Sequence, residues 1–148
     1  MKNNKPGFTL IELLVVIAII GLLSTLSILA LNTARARARD AKRVADVKQI
    51  QTALEMYYND TGDYPGQASI TPGASIASAN GVFLRQIPTP PTPVDGSACP
   101  ALQPAYTYAY TGSSQEGNAS YTIQYCLGAN VNTISGNRMQ TATPAGIN

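Results

Sequence analysis

Histidine and tryptophan are absent from these 148 residues, and cysteine occurs only twice. Without histidine, the usual general base at neutral pH is missing, and so is a common nitrogen ligand of zinc. The acidic side chains of the C-terminal half are scattered singly, so no pair of carboxylates is arranged for acid–base chemistry. We therefore expect no enzyme activity, no catalytic residue, no cofactor and no metal site.

One long stretch near the N-terminus contains almost no charged residues. Between Phe8 and Ala34 the sole ionisable side chain is Glu12. As a helix this run would reach about 40 Å, more than the roughly 30 Å of a bilayer's hydrocarbon core. The pattern predicts a transmembrane helix. A cleaved secretory signal peptide is the alternative, with ARA at 34–36 as the cut, but the run is longer than the roughly 7–15 apolar residues of a signal core.

Glu12 stands out in this run because an unpartnered charge inside a bilayer costs at least roughly 2.5 kcal/mol. A sharp boundary precedes it: Lys2 and Lys5 lie before Gly7, and Phe8 then opens the apolar run. Two interpretations follow from the residues alone. Glu12 pairs with a cation of another chain and sets the register between chains, or it reaches back to the membrane interface.

The motif PGFTLIE at residues 6–12 resembles the class III signal of type IV pilins and of the pseudopilins of type II secretion systems. The resemblance implies that a prepilin peptidase cuts between Gly7 and Phe8 and then methylates the new amino group of Phe8. It also implies that Glu12 pairs with the Phe8 amine of a neighbouring subunit. Leu29 departs from the pattern, since many family members carry a proline at that point, where it helps the helix to melt inside the filament.

The same resemblance implies a cellular location and a set of partners. The precursor would cross the inner membrane once, with its N-terminus in the cytoplasm, and would later join a filament at the cell surface or in the periplasm. The positive-inside rule alone would instead place the basic cluster 35–43 in the cytoplasm. The implied partners are other copies of the chain, a prepilin peptidase, and the assembly platform with its motor.

Good helix formers continue beyond the apolar run, and neither glycine nor proline interrupts them before Gly62. Val47, Ile50, Leu54 and Tyr57 recur at spacings of three and four, which predicts an amphipathic helix with one buried face. We therefore expect a single helix over residues 8–59.

Six basic residues lie between positions 35 and 48, against the two acids Asp40 and Asp46. The basic residues are Arg35, Arg37, Arg39, Lys42, Arg43 and Lys48. Acidic lipid headgroups and nucleic acid both bind such runs. We favour a solvated collar that meets acidic faces of neighbouring subunits, because the first three arginines alternate at a spacing of two and therefore splay around a helix.

The C-terminal part is short of charge and rich in small polar residues and proline. Segments 105–112 and 119–128 alternate aromatic or β-branched residues with polar ones, which predicts a β-hairpin. A third short strand is expected near 131–139, and the last ten residues are expected to fray. Cys99 and Cys126 form a disulfide if this part is exported, and are otherwise two separate buried thiols.

Together these features predict an α+β protein with the pilin fold, a long helix packed on a small antiparallel sheet. Residues 1–7 would be a cleaved leader, 8–34 the transmembrane and filament-core helix, 35–60 its amphipathic continuation, and 61–148 a disulfide-stapled head. The function that the resemblance implies is a structural subunit of a helical surface filament for adhesion, motility or contact. A type II secretion pseudopilin and a DNA-binding competence pilin are the alternatives.

Overall fold

The computed structural model describes residues 7–66, 70–93, 109–112 and 120–147. The elements are helix α1 (Leu10–Thr61) and strands β1 (Ile76–Ala77), β2 (Val82–Leu84), β3 (Ala109–Gly112), β4 (Tyr121–Leu127), β5 (Arg138–Thr143) and β6 (Gly146–Ile147). One long N-terminal helix and small antiparallel sheets confirm the predicted α+β class. The chain divides into two units, Met1–Arg35 and Ala36–Asn148.

Helix α1 begins and ends two residues later than predicted. It begins at Leu10 because Thr9 precedes it as an N-terminal cap, with hydrogen bonds to Glu12. It ends where Gly62 adopts the left-handed conformation, at a φ of 84°. The N–H of Gly62 donates to the carbonyl oxygen of Tyr58 at 2.8 Å, which satisfies one of the last carbonyls of the helix.

In the first unit, the large apolar side chains from Phe8 to Leu31 are exposed all round the helix. By length and composition this helix is able to cross a membrane. The hydroxyls of Ser24, Thr25 and Ser27 donate to carbonyl oxygens three or four residues earlier, at 2.7–2.8 Å. These polar side chains are therefore satisfied within the helix and need no water there.

The second unit has a hydrophobic core between one stripe of α1 and one face of the larger sheet. The helix contributes Val44, Val47, Ile50, Ala53 and Leu54. The sheet contributes Tyr121, Ile123, Tyr125 and Leu127 from β4, and Ala142 from β5. The sequence left open which face of the predicted hairpin meets the helix; the structure shows that the face carrying Tyr121 and Tyr125 does.

The larger sheet has the order β3-β4-β5-β6, and all its pairs are antiparallel. The predicted hairpin is confirmed over the described residues, with Tyr110 opposite Ile123. Tyr106 and Tyr108 lie outside the described residues. The prediction of a frayed end was wrong, because β5 and β6 pair with each other over the last part of the chain.

Strand β5, which corresponds to the predicted third strand, begins at Arg138 and not near residue 131, because a tight loop occupies residues 128–137. Val131 and Ile134 exchange two backbone hydrogen bonds of 3.0 and 2.9 Å. Gly136 passes so close to Ala129 that an added Cβ would lie 2.0 Å from a backbone carbon. This close approach requires a glycine and keeps the loop from extending as a strand.

Strands β1 and β2 form a separate two-stranded sheet beside the end of the helix. The Asp60 carboxylate, near the last turn of α1, accepts hydrogen bonds from the hydroxyl of Ser78 and, at 2.9 Å, from the side-chain amide of Asn80. These two bonds lower the pKa of Asp60, the bond from Ser78 most strongly. They tie the loop between β1 and β2 to the helix terminus.

Candidate functional site

The predicted cleavage junction lies in the exposed segment just before α1. Gly7, Phe8 and Thr9 are not helical, and the Phe8 side chain is 81% exposed. An added Cβ at Gly7 would meet nothing within 4 Å. Packing of the described residues therefore gives no reason for a glycine at this position.

Thr9 and Glu12 form a reciprocal capping box at the start of the helix. The backbone N–H and the hydroxyl of Thr9 donate to Oε2 of Glu12 at 2.9 and 2.6 Å. The backbone N–H of Glu12 donates to the Thr9 hydroxyl at a longer 3.3 Å. Such a box satisfies backbone donors that a helix start otherwise leaves unpaired, and it fixes the position of the carboxylate.

The capping box bears on the predicted role of Glu12. One carboxylate oxygen is held within the chain, so a second group can approach the other oxygen without breaking the box. The predicted bond to the Phe8 amine of another copy is a contact between chains and stays a prediction. Thr9 was not among the residues predicted from the sequence, although a threonine three residues before a glutamate is the usual signature of this cap.

The surface that continues from the capping box along the helix is apolar and exposed. Ile11, Val15 and Val16 are 69%, 47% and 45% exposed. Gly21 lies within this surface, and an added Cβ there would also meet nothing within 4 Å. A glycine on an apolar helix allows another helix to approach closely. The candidate site is therefore an exposed apolar helix surface with one carboxylate near its end.

The second unit corrects the interpretation of the basic run as one solvated collar. Arg43 is buried, at 1% exposure, and forms an ion pair with the buried Asp40. The Arg43 guanidinium also donates to the carbonyl oxygens of Pro91 and Pro93, both at 2.8 Å. Arg43 lies four residues before Val47 and so continues the predicted buried stripe, but its bonds to the proline segment could not be predicted from the sequence.

Tyr121 and Tyr125 of strand β4 are core residues. Tyr121 packs edge-on against Tyr64, with ring centroids 4.8 Å apart. The Tyr64 hydroxyl donates to Oε1 of Glu55 at 2.9 Å, and the Tyr121 hydroxyl lies 3.5 Å from the same oxygen. Burial raises the pKa of Tyr121 and of Tyr125 to about 12, and that of Tyr64 further. The side chains of Tyr121 and Tyr125 are both buried, so neither is available as an exposed binding surface.

Cys126 lies buried on β4, and it is not a free cysteine. Its predicted partner Cys99 lies outside the described residues, so the pairing stays a prediction. Within the described ranges, no group of three histidine, cysteine, aspartate or glutamate side chains is placed to hold a metal ion.

Comparison with known proteins agrees with the geometry of the N-terminal helix. Residues 2–28 match the family described as the prokaryotic N-terminal methylation motif. The chain is 31% identical over 100 residues to type II secretion system core protein G of Klebsiella michiganensis, which covers 61% of this chain and 70% of that protein. It is also 31% identical over 87 residues to type IV major pilin protein PilE of Neisseria gonorrhoeae, covering 59% of this chain and 52% of that protein.

A third relative, core protein G of Aeromonas hydrophila, is 39% identical over 64 residues, or 43% of this chain and 45% of that protein. No solved structure matches the chain significantly. The fold and the site define an α+β protein with a long apolar N-terminal helix. The chain belongs to the family of type IV pilins and type II secretion pseudopilins. It spans about half the length of several curated relatives that it matches.

Proposed function

We propose that this chain is a type IV pilin-like structural subunit, which is made as a membrane precursor and polymerises into a helical filament. The observation that carries the proposal is the apolar helix surface from Phe8 to Leu31, whose large side chains are exposed and which none of the described residues covers. Such a surface is stable in lipid or against other apolar helices. When a subunit passes from the membrane to the filament, its apolar helix surface leaves the lipid and packs against the apolar helices of other subunits.

The junction before the helix supplies the switch between these two states. A prepilin peptidase cuts after Gly7 on the cytoplasmic side, and Phe8 becomes a methylated amino terminus. A cationic amine near hydrocarbon is stabilised by pairing with a carboxylate. In Glu12 of the next subunit, one carboxylate oxygen accepts from Thr9 and the other accepts from the amine. Glu12 then stabilises a subunit best at one axial offset from its neighbour.

The intact mass of the mature protein tests the processing step. We expect a mass that lacks residues 1–7 and carries one additional methyl group, located on Phe8 by fragmentation. A chain with residues 1–7 still attached, or one cut near Ala36, would contradict the proposal. Gly7→Ala serves as the matched variant: the structure has room for the methyl group, so a block in processing would reflect the peptidase and not the fold.

Substitution of Glu12 tests assembly separately from processing. Glu12→Gln keeps the capping geometry but removes the charge, and we expect it to be cleaved and methylated while assembly falls at least tenfold. Filaments sheared from cells and measured by immunoblot report assembly, and the mature mass reports processing. Asp63→Asn, an exposed carboxylate outside this surface, is the control. Normal filament yield from Glu12→Gln would overturn the registry role.

The second candidate is a pseudopilin of a type II secretion system, and the matches to core protein G favour it. Deletion of the gene distinguishes the two. A pilin deletion removes surface filaments and leaves secretion intact, whereas a pseudopilin deletion traps secreted proteins in the periplasm and leaves pili intact.

A further inference from the structure

Burial of some charged side chains leaves a purely positive exposed charge on the segment that follows the apolar run. Both acidic residues between positions 35 and 48 are buried: Asp40 is 0% exposed and Asp46 is 8% exposed. Arg43, the buried partner of Asp40, is removed from the surface as well. The exposed side chains that carry charge in this segment are Arg35, Arg37, Lys42 and Lys48, and all are positive.

Arg37 and Lys42 are the members of this set closest to the apolar run within the second unit. Among the described residues, neither has a carboxylate within ion-pair distance. Arg37 follows Ala34, the last residue of the apolar run, by three positions, so even an extended chain keeps the two within about 11 Å. Arginine and lysine side chains are also long enough to extend toward a membrane surface.

We propose that Arg37 and Lys42 bind the phosphate groups of anionic phospholipids at the surface of the membrane that the helix crosses. The inference rests on the proposed membrane precursor and adds a partner to it. Uncompensated basic side chains beside a membrane segment are attracted to anionic headgroups, and each strengthens binding by roughly fivefold at low salt. These contacts would hold the subunit in the membrane until assembly withdraws it.

The directions of the two side chains favour lipid over nucleic acid. At about 100° per residue, Arg37 and Lys42 point roughly 140° apart around the helix. Headgroups surround a spanning helix on all sides, so both side chains find phosphates. A nucleic acid duplex contacts one side of a helix and would leave one of the two unused.

The test uses the full chain purified in a neutral detergent that contains equal amounts of phosphatidylglycerol and phosphatidylcholine. Lipid retained per chain is counted by mass spectrometry at low and at high salt. We expect the wild type to retain phosphatidylglycerol preferentially at low salt. Arg37→Gln/Lys42→Gln should lower that preference by roughly tenfold or more. Arg85→Gln/Arg138→Gln removes the same charge from two exposed positions elsewhere and should leave it unchanged.

Equal retention of the two lipids by all three proteins would overturn the inference. A salt-sensitive complex with a short DNA duplex, without preference for phosphatidylglycerol, would also overturn it in favour of nucleic acid. Salt-dependent self-association that the double substitution abolishes, again without a lipid preference, would overturn it in favour of a second copy of the chain. Alkaline carbonate extraction separates the lipid-binding inference from the proposed membrane precursor. Release of the wild type from membranes would overturn both proposals. A chain that stays inserted but shows no lipid preference would overturn only the lipid-binding inference.

Discussion

The carboxylate of Asp40 accepts a hydrogen bond of 2.8 Å from the backbone N–H of Ala129, 89 residues further along the chain. The N–H of Gly128 also donates to this carboxylate, at 3.1 Å. On its other side Asp40 pairs with Arg43, which binds the proline segment at 91–93. Two buried charges on adjacent turns of one helix thus hold two distant segments of the chain.

Removal of Asp40 should destabilise the second unit strongly. Asp40→Ala leaves the Arg43 charge buried without its partner and two backbone donors unpaired, and we expect a loss of about 3–5 kcal/mol. Arg43→Met combined with Asp40→Leu should be less harmful than the single change, because no buried charge remains. Urea unfolding of a fragment that begins at residue 36 measures both, with exposed Asp63→Asn as the control. Equal losses in the single and double variants would contradict this account.

Thr9→Ala should loosen the start of α1 because it removes the side-chain half of the capping box. We expect amide hydrogen exchange at residues 10–13 to accelerate by roughly fivefold in detergent micelles. Thr9→Ser retains the hydroxyl and should restore protection. The exchange rates of residues 50–54, far from the cap, serve as the internal reference. Unchanged exchange in Thr9→Ala would show that the cap does not hold the helix start.

The stability of the second unit should fall at alkaline pH. Burial raises the pKa of Tyr121 and Tyr125 to about 12, whereas an unfolded tyrosine has a pKa of about 10. Above pH 10 the unfolded chain therefore binds fewer protons than the folded chain, so stability is fully present below pH 10 and is lost as the pH rises toward 12. Thermal unfolding at pH 8–12, followed by circular dichroism, measures this change. The double variant Tyr121→Phe/Tyr125→Phe should show a smaller decline, and an equal decline would contradict the assignment.

Tyr125→Phe should be neutral or should stabilise the fold. The Tyr125 hydroxyl is buried and has no hydrogen-bond partner among the described residues. Removing an unsatisfied buried hydroxyl avoids a desolvation penalty of about 1–3 kcal/mol. Tyr64→Phe is the matched comparison: it breaks the 2.9 Å bond to Glu55 and should destabilise by about 1 kcal/mol. Urea unfolding of both variants checks the sign, and a destabilised Tyr125→Phe would contradict the prediction.

The features that the sequence predicted correctly depend on neighbours along the chain. The helix follows from the absence of proline between Phe8 and Gly62, with Gly21 as the one glycine in between, and its buried stripe follows from apolar residues at spacings of three and four. The hairpin of β3 and β4 follows from alternation with period two on both sides of a short polar sequence. Each pattern lies within a few residues, so local propensity and amphipathicity are sufficient to read it.

The loop before β5 could not be predicted in this way. Its tight turn depends on the approach of Gly136 to the Ala129 backbone and on the bonds of Asp40 to Gly128 and Ala129. Neither has a local signature, because one is a contact between two loop segments and the other joins a helix to a residue 89 positions away. Strand β5 was therefore predicted too early in the chain, and strand β6 was not predicted.

By itself the sequence determined the long helix, the apolar surface from Phe8 to Leu31 and the position of Glu12 near its start, because chain length, side-chain polarity and short spacings decide these. The tertiary structure alone decided which groups satisfy the buried charges of the second unit. Asp40 and Arg43 continue the spacing of three and four residues of the buried stripe, and Lys42 lies off it, but the groups that pair with the buried charges come from residues 91, 93, 128 and 129. The physical reason is that burial of a charge depends on the partners that folding brings to it from distant segments.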